Sequence, residues 1–394
     1  MTSPTIYLDN HATTRCDPRV VNAMLPYFSE QYGNASSVGH LFGWDAKDAV
    51  DAARERVAAL MGATAREVVF TSGATEANNL ALKGVVAPLL RRADQPRPHL
   101  IVNAAEHRAV LDPAKRLERC GADVTVLPVD EFGQVSPQSV ADAMTPQTVL
   151  VSVMLANNEI GTVNPVAEIA ATIRVANPRT LIHCDAVQAA GKVAVDWQQL
   201  DVDLLSLSAH KLYGPKGVGA LFVRRGGRRV ALEPLLDGGG QERHLRSGTL
   251  PVPLIVGFGA TCQIAQDEFP VEASRITELR DRLWERLSDN LDGLRRNGHP
   301  TDCLPGNLNV SFDGVDGEAL LNAMTEIAVS SGSACTSADP EPSHVLRAIG
   351  LNDQLTRSSL RFGLGRFNTT DEITTSADFV IAQVTRLRSS HKAT

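Results

Sequence analysis

From about residue 66 to residue 223 the chain alternates short apolar runs with amphipathic stretches. The runs at 68–71, 99–103, 124–127, 148–154, 180–183, 202–207 and 218–223 are almost continuously apolar, and helical spacing follows at 74–86, 108–119, 137–144 and 165–175. A strand with no polar face is buried on both sides. The alternation therefore predicts an α/β fold with a parallel sheet covered on both faces by helices. In such sheets ligands lie beyond the carboxyl ends of the strands. The residues that follow each run are the ones to inspect.

After about residue 260 the pattern changes. Leu279, Leu283, Leu287 and Leu291 mark a long helix over 271–297. A strand at 307–312, a helix at 317–325, a strand at 328–330, a short helix from Ser343, a strand at 358–363 and a final helix from Asp371 follow. This reads as a smaller α+β domain. Residues 15–260 form the expected large domain, with 1–14 and 261–394 in the small one and Pro251-Val-Pro253 as the hinge.

Composition excludes several classes. The 394 residues, 43% hydrophobic and 21% charged, can bury a sizeable core, which rules out general disorder. A net charge of −7 leaves no electrostatic footprint for nucleic acid. The longest nearly apolar run, 149–156, is far shorter than the roughly 20 residues of a membrane span. The first residues lack a basic stretch followed by an apolar one, so no signal peptide is expected. The six cysteines, at 16, 120, 184, 262, 303 and 335, form no Cys-x-x-Cys pair. That argues against a structural metal or a disulfide framework and fits a reducing cytoplasm.

Four strand ends carry the chemistry. Past 202–207 stands Ser-Ala-His-Lys at 208–211, with a Gly-Pro-Lys-Gly turn behind it. A lysine before a turn is ordinarily a surface residue, but one held against low-dielectric walls loses its proton easily and suits Schiff-base chemistry. Asp185 and Gln188 follow 180–183. An aspartate there either caps a helix or meets a heterocyclic nitrogen. The turn 71–77, Thr-Ser-Gly-Ala-Thr-Glu-Ala, joins a strand to a helix, where N–H groups at Ala74 and Thr75 and the Thr75 hydroxyl either cap the helix or meet a phosphate. His107 follows 99–103 and is placed to stack on a ring or move protons. A Schiff-base lysine, an acid, a phosphate cradle and a ring partner are what pyridoxal phosphate requires.

Together these segments resemble the class V aminotransferase superfamily, and within it the NifS/IscS-type cysteine desulfurases. The resemblance covers nearly the whole chain in order: 7–14, Gly-Asn-Ala-Ser-Ser at 33–37, 72–79, Glu106-His107, Asn-Asn-Glu-Ile-Gly at 157–161, 185–188, 208–211, 238–242, 246–249, 330–337 and 357–365. The lysine segment signals the superfamily; Ser-Gly-Ser-Ala-Cys-Thr-Ser at 331–337 is far more specific.

The resemblance implies a fold type I pyridoxal phosphate enzyme, whose α/β large domain has a mostly parallel seven-stranded sheet covered by helices and is joined to a smaller α+β domain. Lys211 would carry the cofactor, Asp185 would hold its pyridine nitrogen, His107 would stack on the ring and Gln188 would bind the ring hydroxyl. Ala74, Thr75, Ser208 and His210 would bind phosphate, with Thr249 reaching it from the second subunit of a homodimer. Asn158, Arg361 and, more weakly, Asn34 would hold the substrate carboxylate. Cys335, in a loop of small residues at about 330–342, would travel to take sulfur from L-cysteine as a persulfide, releasing L-alanine. His107 would shuttle a proton. The sulfur would then pass to an acceptor such as an iron–sulfur scaffold protein.

Housekeeping members of the family carry a longer C-terminal tail, so the short run after the final helix points to a specialised, NifS-like role or another acceptor. His11 and Cys16 have no assigned role. An aminotransferase, a selenocysteine lyase and a binding protein that kept the fold are the competing readings.

Overall fold

The computed structural model describes residues 5–92, 94–228, 230–331 and 342–391. After a two-residue strand β1 (Ile6–Tyr7), the large sheet is formed by β2 (Val68–Thr71), β3 (His99–Asn103), β4 (Asp123–Leu127), β5 (Thr148–Ser152), β6 (Leu181–Asp185), β7 (Leu204–Ser208) and β8 (Gly219–Val223). Their order is β2-β8-β7-β6-β5-β3-β4. The pairs among β3 to β7 are parallel, while β8 runs antiparallel to both β2 and β7. The reason lies in the connection. Between β7 and β8 the chain makes a 3-10 turn, Ala209–Lys211, and a loop, with no crossover helix to return it to the starting edge.

Alternate residues of these strands face opposite sides, and both sides are dry. Ile101, Val151, Ile182, Leu205 and Phe222 pack with helices Leu41–Leu60, Val166–Ala176 and Val252–Glu268. Leu100, Leu150, Leu204 and Leu221 pack with helices Ala74–Leu90 and Arg108–Arg119. Burial of each such side chain stabilises the fold by about 1.5–3 kcal/mol before entropy is counted. This explains why the strands read as unbroken apolar runs.

The second body is built on β9 (Leu294–Asn297), β10 (Asn307–Phe312), β11 (Ile327–Ala328), β12 (Ser330–Ser331) and β13 (Ser359–Gly363). Four of these strands form a sheet of order β12-β13-β10-β9, and β1 pairs in parallel with β11. Helices Val271–Asn290 and Thr370–His391 close a separate core over it through Leu279, Leu283, Leu287, Ala377 and Val380.

Three sequence expectations change here. The helix expected over 271–297 ends at Asn290; Gly293, at φ 65°, turns the chain into β9. Leu291 keeps its apolar spacing because it is buried in the same core from outside the helix. Pro251-Val-Pro253 opens helix Val252–Glu268. Cys262 of that helix packs in the first core, so a border after residue 260 falls inside a helix. Finally, the strand expected over 328–330 divides into β11 and β12, which pair with different partners.

The opening segment ties the two bodies together. Gly363 N–H donates to the Leu8 carbonyl at 2.7 Å and Asn10 N–H to the Gly363 carbonyl at 3.0 Å. The Thr14 N–H and hydroxyl both donate to the His210 carbonyl, at 3.0 and 2.9 Å. Among the described residues no helix is long and apolar enough to cross a membrane, and no three His, Cys, Asp or Glu side chains cluster as a metal site.

Candidate active site

A cavity of about 440 Å³ opens at the carboxyl edge of the large sheet. That size is in the range of small-molecule sites. Ala74, Thr75, His107 and Asn158 line it, as do Asp185, Gln188, Ser208, His210, Lys211 and Arg361. Ten of the residues singled out in the sequence thus converge on one space.

Lys211 closes the 3-10 turn that follows β7. Its Nζ donates to the carbonyls of His11 at 2.5 Å and Ala12 at 2.6 Å, so the opening segment supplies the seat for this amine. His210 beside it meets the Thr13 hydroxyl through Nδ1 at 3.1 Å. Burial, with the nearby charges of Lys211, Lys216 and Lys192, pulls His210 down to about 4. It is therefore a neutral imidazole at physiological pH.

Asp185 is the last residue of β6 and only 5% exposed. Asn78 Nδ2 donates to one carboxylate oxygen at 2.7 Å and Val187 N–H to the other at 3.1 Å. A second carboxyl, Glu106, lies close by. Burial first, and then the Asp185 charge, push it well above the usual carboxylate range. One of its oxygens accepts from Asn103 Nδ2 at 2.6 Å and Met154 N–H at 2.7 Å, which braces the loops after β3 and β5.

The turn after β2 begins helix Ala74–Leu90. Gly73 sits at φ 154°, and a Cβ on Gly219 would lie 2.7 Å from Gly73 Cα. Both glycines are needed for this turn to press against the start of β8. The helix N-terminus, where N–H groups lack intrahelical partners and the dipole is positive, faces the cavity with Thr75. His107 caps helix Arg108–Arg119: its Nδ1 accepts from Ala109 N–H at 3.0 Å. Burial holds its pKa below the ordinary value, against the pull of Asp185. A neutral ring with Nδ1 accepting carries its proton on Nε2.

The opposite wall comes from the second body. Arg361, on β13, is 1% exposed. Its guanidinium donates to the Asn158 carbonyl and to Asp9 Oδ1, each at 2.8 Å, and to the Ser330 hydroxyl at 3.3 Å. Among the described residues, Arg361 Nε and Asn158 Oδ1 are buried without a hydrogen-bond partner. A buried donor and a buried acceptor left open beside one cavity are what a polar ligand would satisfy.

Two candidates stand elsewhere. Thr249 and Asn34 are exposed and outside this cavity, and Asn34 Oδ1 accepts from Ser36 N–H at 2.9 Å. Cys335 lies outside the described residues. Sequence reasoning left His11 and Ala12 without a role, yet their carbonyls hold Lys211. It quoted Asn78 only within a motif, although a polar residue on an apolar helix face was a usable signal.

Residues 6–375 match the family Aminotransferase class-V. The chain is 53% identical over 383 residues to "Cysteine desulfurase IscS" of Anaeromyxobacter dehalogenans (strain 2CP-C), covering 97% of this chain and 93% of that relative. Among solved structures, a "NIFS-LIKE PROTEIN" matches with TM-score 0.90 at 37% identity, covering 97% of this chain and 100% of that one. "SspA in complex with cysteine" matches with TM-score 0.81, also at 37% identity, covering 93% of this chain and 100% of that one.

Proposed function

The chain belongs to the class-V aminotransferase family, and we propose that it works there as a pyridoxal phosphate-dependent cysteine desulfurase. The observation that carries this reading is Lys211 in one cavity with Asp185, His107 and Arg361. The cofactor fits the residues present. Lys211 offers the amine, Asp185 an acid for the ring nitrogen, and Gln188 an amide for the ring hydroxyl. Thr75, Ser208, His210 and the N–H groups at Ala74 and Thr75 offer a phosphate cradle. When bound, pyridoxal phosphate acts as an electron sink for the α-carbon of an amino acid, which loosens the α-proton and then the β-sulfur.

The chain's own residues do the rest. Arg361 grips the substrate carboxylate in paired charge-assisted hydrogen bonds, with Asn158 beside it and Asn34 as a lesser contact. Once freed, Lys211 Nζ takes the α-proton. His107 Nε2 exchanges a proton with the substrate thiol. Cys335 Sγ then captures the sulfur: an S–S bond forms as the C–S bond breaks. Cysteine plus a protein thiol becomes alanine plus a protein persulfide, with atoms and electrons balanced. The persulfide passes to an acceptor protein, for iron–sulfur clusters or another sulfur cofactor, in the cytoplasm.

A homodimer completes the site. Among the described residues, eight of the sixteen exposed large hydrophobic side chains lie between Val21 and Trp44, among them Phe28, Tyr32, Leu41 and Phe42. So many exposed apolar side chains in one stretch favour a second copy. Across that interface Thr249 reaches the phosphate. Labour divides between the two bodies: the large one binds the cofactor, and the small one carries Arg361 and Cys335.

The test is purified protein given L-cysteine, with alanine and visible absorbance recorded. Parent protein is expected to be yellow and to release alanine. Cys335→Ser keeps the colour and forms no persulfide. An aminotransferase would instead convert its cofactor to the amine form stoichiometrically, independent of Cys335, and would overturn the reading.

A further inference from the structure

Gln188 faces the main cavity, but its amide is held from outside it. Lys192, four residues on, lines a separate small cavity shared with His11, Tyr213, Glu272 and Arg366. Its Nζ donates to Gln188 Oε1 at 3.1 Å. His11 Nδ1 meets the same oxygen at 3.1 Å, and Gln188 Nε2 donates to the His11 carbonyl at 2.9 Å. An ammonium only donates and a carbonyl only accepts. The amide is therefore left one orientation, with its oxygen toward Lys192 and the His11 ring and its nitrogen toward the His11 carbonyl, on a residue that lines the main cavity.

We propose that Lys192 is a positioning residue that fixes and polarises the Gln188 amide, so that its N–H stabilises negative charge on the hydroxyl oxygen of the bound cofactor ring. The proposal rests on the reading above, in which Gln188 meets that hydroxyl. An amide whose carbonyl end accepts hydrogen bonds donates more strongly at its nitrogen. Draining charge from the ring oxygen weakens its hold on the proton of the neighbouring lysine-linked nitrogen. Lys192 thus lowers the pH at which the lysine-bound cofactor loses that proton.

Burial, with the charges of Lys211 and Arg361, brings Lys192 down to about 7 against Glu272, so the ammonium acts on the amide below that pH and its pull fades above it. Burial likewise holds His11 well below its ordinary value, so its ring is neutral. Neutral His11 donates to Gln188 from Nδ1, which leaves Nε2 as the lone-pair acceptor found buried without a partner among the described residues. Burial raises Tyr213 far above the ordinary phenol range, and Arg366 remains a cation.

The experiment is a pH titration of the visible absorbance of the cofactor-loaded protein without substrate, with cofactor content and circular dichroism as checks of folding. Lys192→Met is expected to raise the midpoint by about one pH unit. Lys192→Gln, which keeps an N–H and loses the charge, moves it the same way by less, and it decides the matter if the methionine variant fails to fold. Lys192→Arg keeps the parent midpoint. If Met and Gln leave the midpoint unmoved while Gln188→Ala shifts it, the proposal is overturned and the assignment of Gln188 stands. If Arg moves it as far as Met, Lys192 is only structural and the proposal falls. If Gln188→Ala also has no effect, the assignment beneath the proposal fails with it.

Discussion

The two walls of the cavity are assembled in different ways. On one wall Thr75, His107 and Lys211 each follow a strand of the large sheet and Asp185 ends one, so a strand and its turn place each group. On the other, Arg361 comes from β13 and depends on Asp9 and the Asn158 carbonyl, contributed from far along the chain. The first wall is a property of repeated strand–turn units. The opening segment reaches both, through the His11 and Ala12 carbonyls at Lys211 and through Asp9 at Arg361, but only the second wall is built from both bodies. Damage to the first should therefore cost the cofactor, and damage to the second should cost the substrate.

The largest effect belongs to the first wall. Lys211→Ala should lose the lysine-linked absorbance band and lower alanine formation by about a thousandfold or more, with circular dichroism unchanged. Retention of the band would place the tether elsewhere.

The sheet beneath that wall carries a pH dependence. His183, on β6, is flanked by the hydroxyls of Ser152 at 2.8 Å and Ser206 at 3.0 Å. Burial lowers it from 6.5 to about 4. The unfolded chain takes up this proton near pH 6.5 and the folded chain does so only near 4. The contribution is thus intact above 6.5 and is lost as pH falls toward 4. Urea unfolding at pH 7 and pH 4.5 should show about 2 kcal/mol of this dependence in the parent, absent from His183→Asn. Equal pH dependence in both would contradict the assignment.

For the second wall, Arg361→Lys should raise KM for L-cysteine by about a hundredfold while cofactor content stays at the parent level, because lysine cannot reproduce a paired grip. Loss of cofactor in this variant would break the distinction between the walls. The smallest effect is Asp9→Asn. It keeps an oxygen near Arg361 but removes the charge, and KM should rise about tenfold. No change would mean that the Asn158 carbonyl and the Ser330 hydroxyl suffice to orient the guanidinium.

The same division governs what could be read from the sequence. Strands buried on both faces announce themselves, and the groups just past them were legible with them. The direction of β8 was not, because apolar runs carry no sign of polarity; only the missing crossover helix distinguishes it. The overlong helix was misread because Leu291 continues the apolar period from an extended conformation. His11 and Lys192 were invisible for another reason. Their roles lie in a carbonyl that seats Lys211 and an amine that meets Gln188, and no local pattern records such contacts. Thr249 and Asn34 stay outside one chain's cavity, and no run of sequence records where an exposed loop lies relative to it.

The most direct measurement is mass spectrometry of the peptide containing Cys335 after brief incubation with L-cysteine under non-reducing conditions. The account predicts a gain of one sulfur atom on that peptide, matched by alanine in solution and absent from Lys211→Ala. Alanine and free sulfide appearing with no added mass at Cys335, and undiminished in Cys335→Ser, would contradict it.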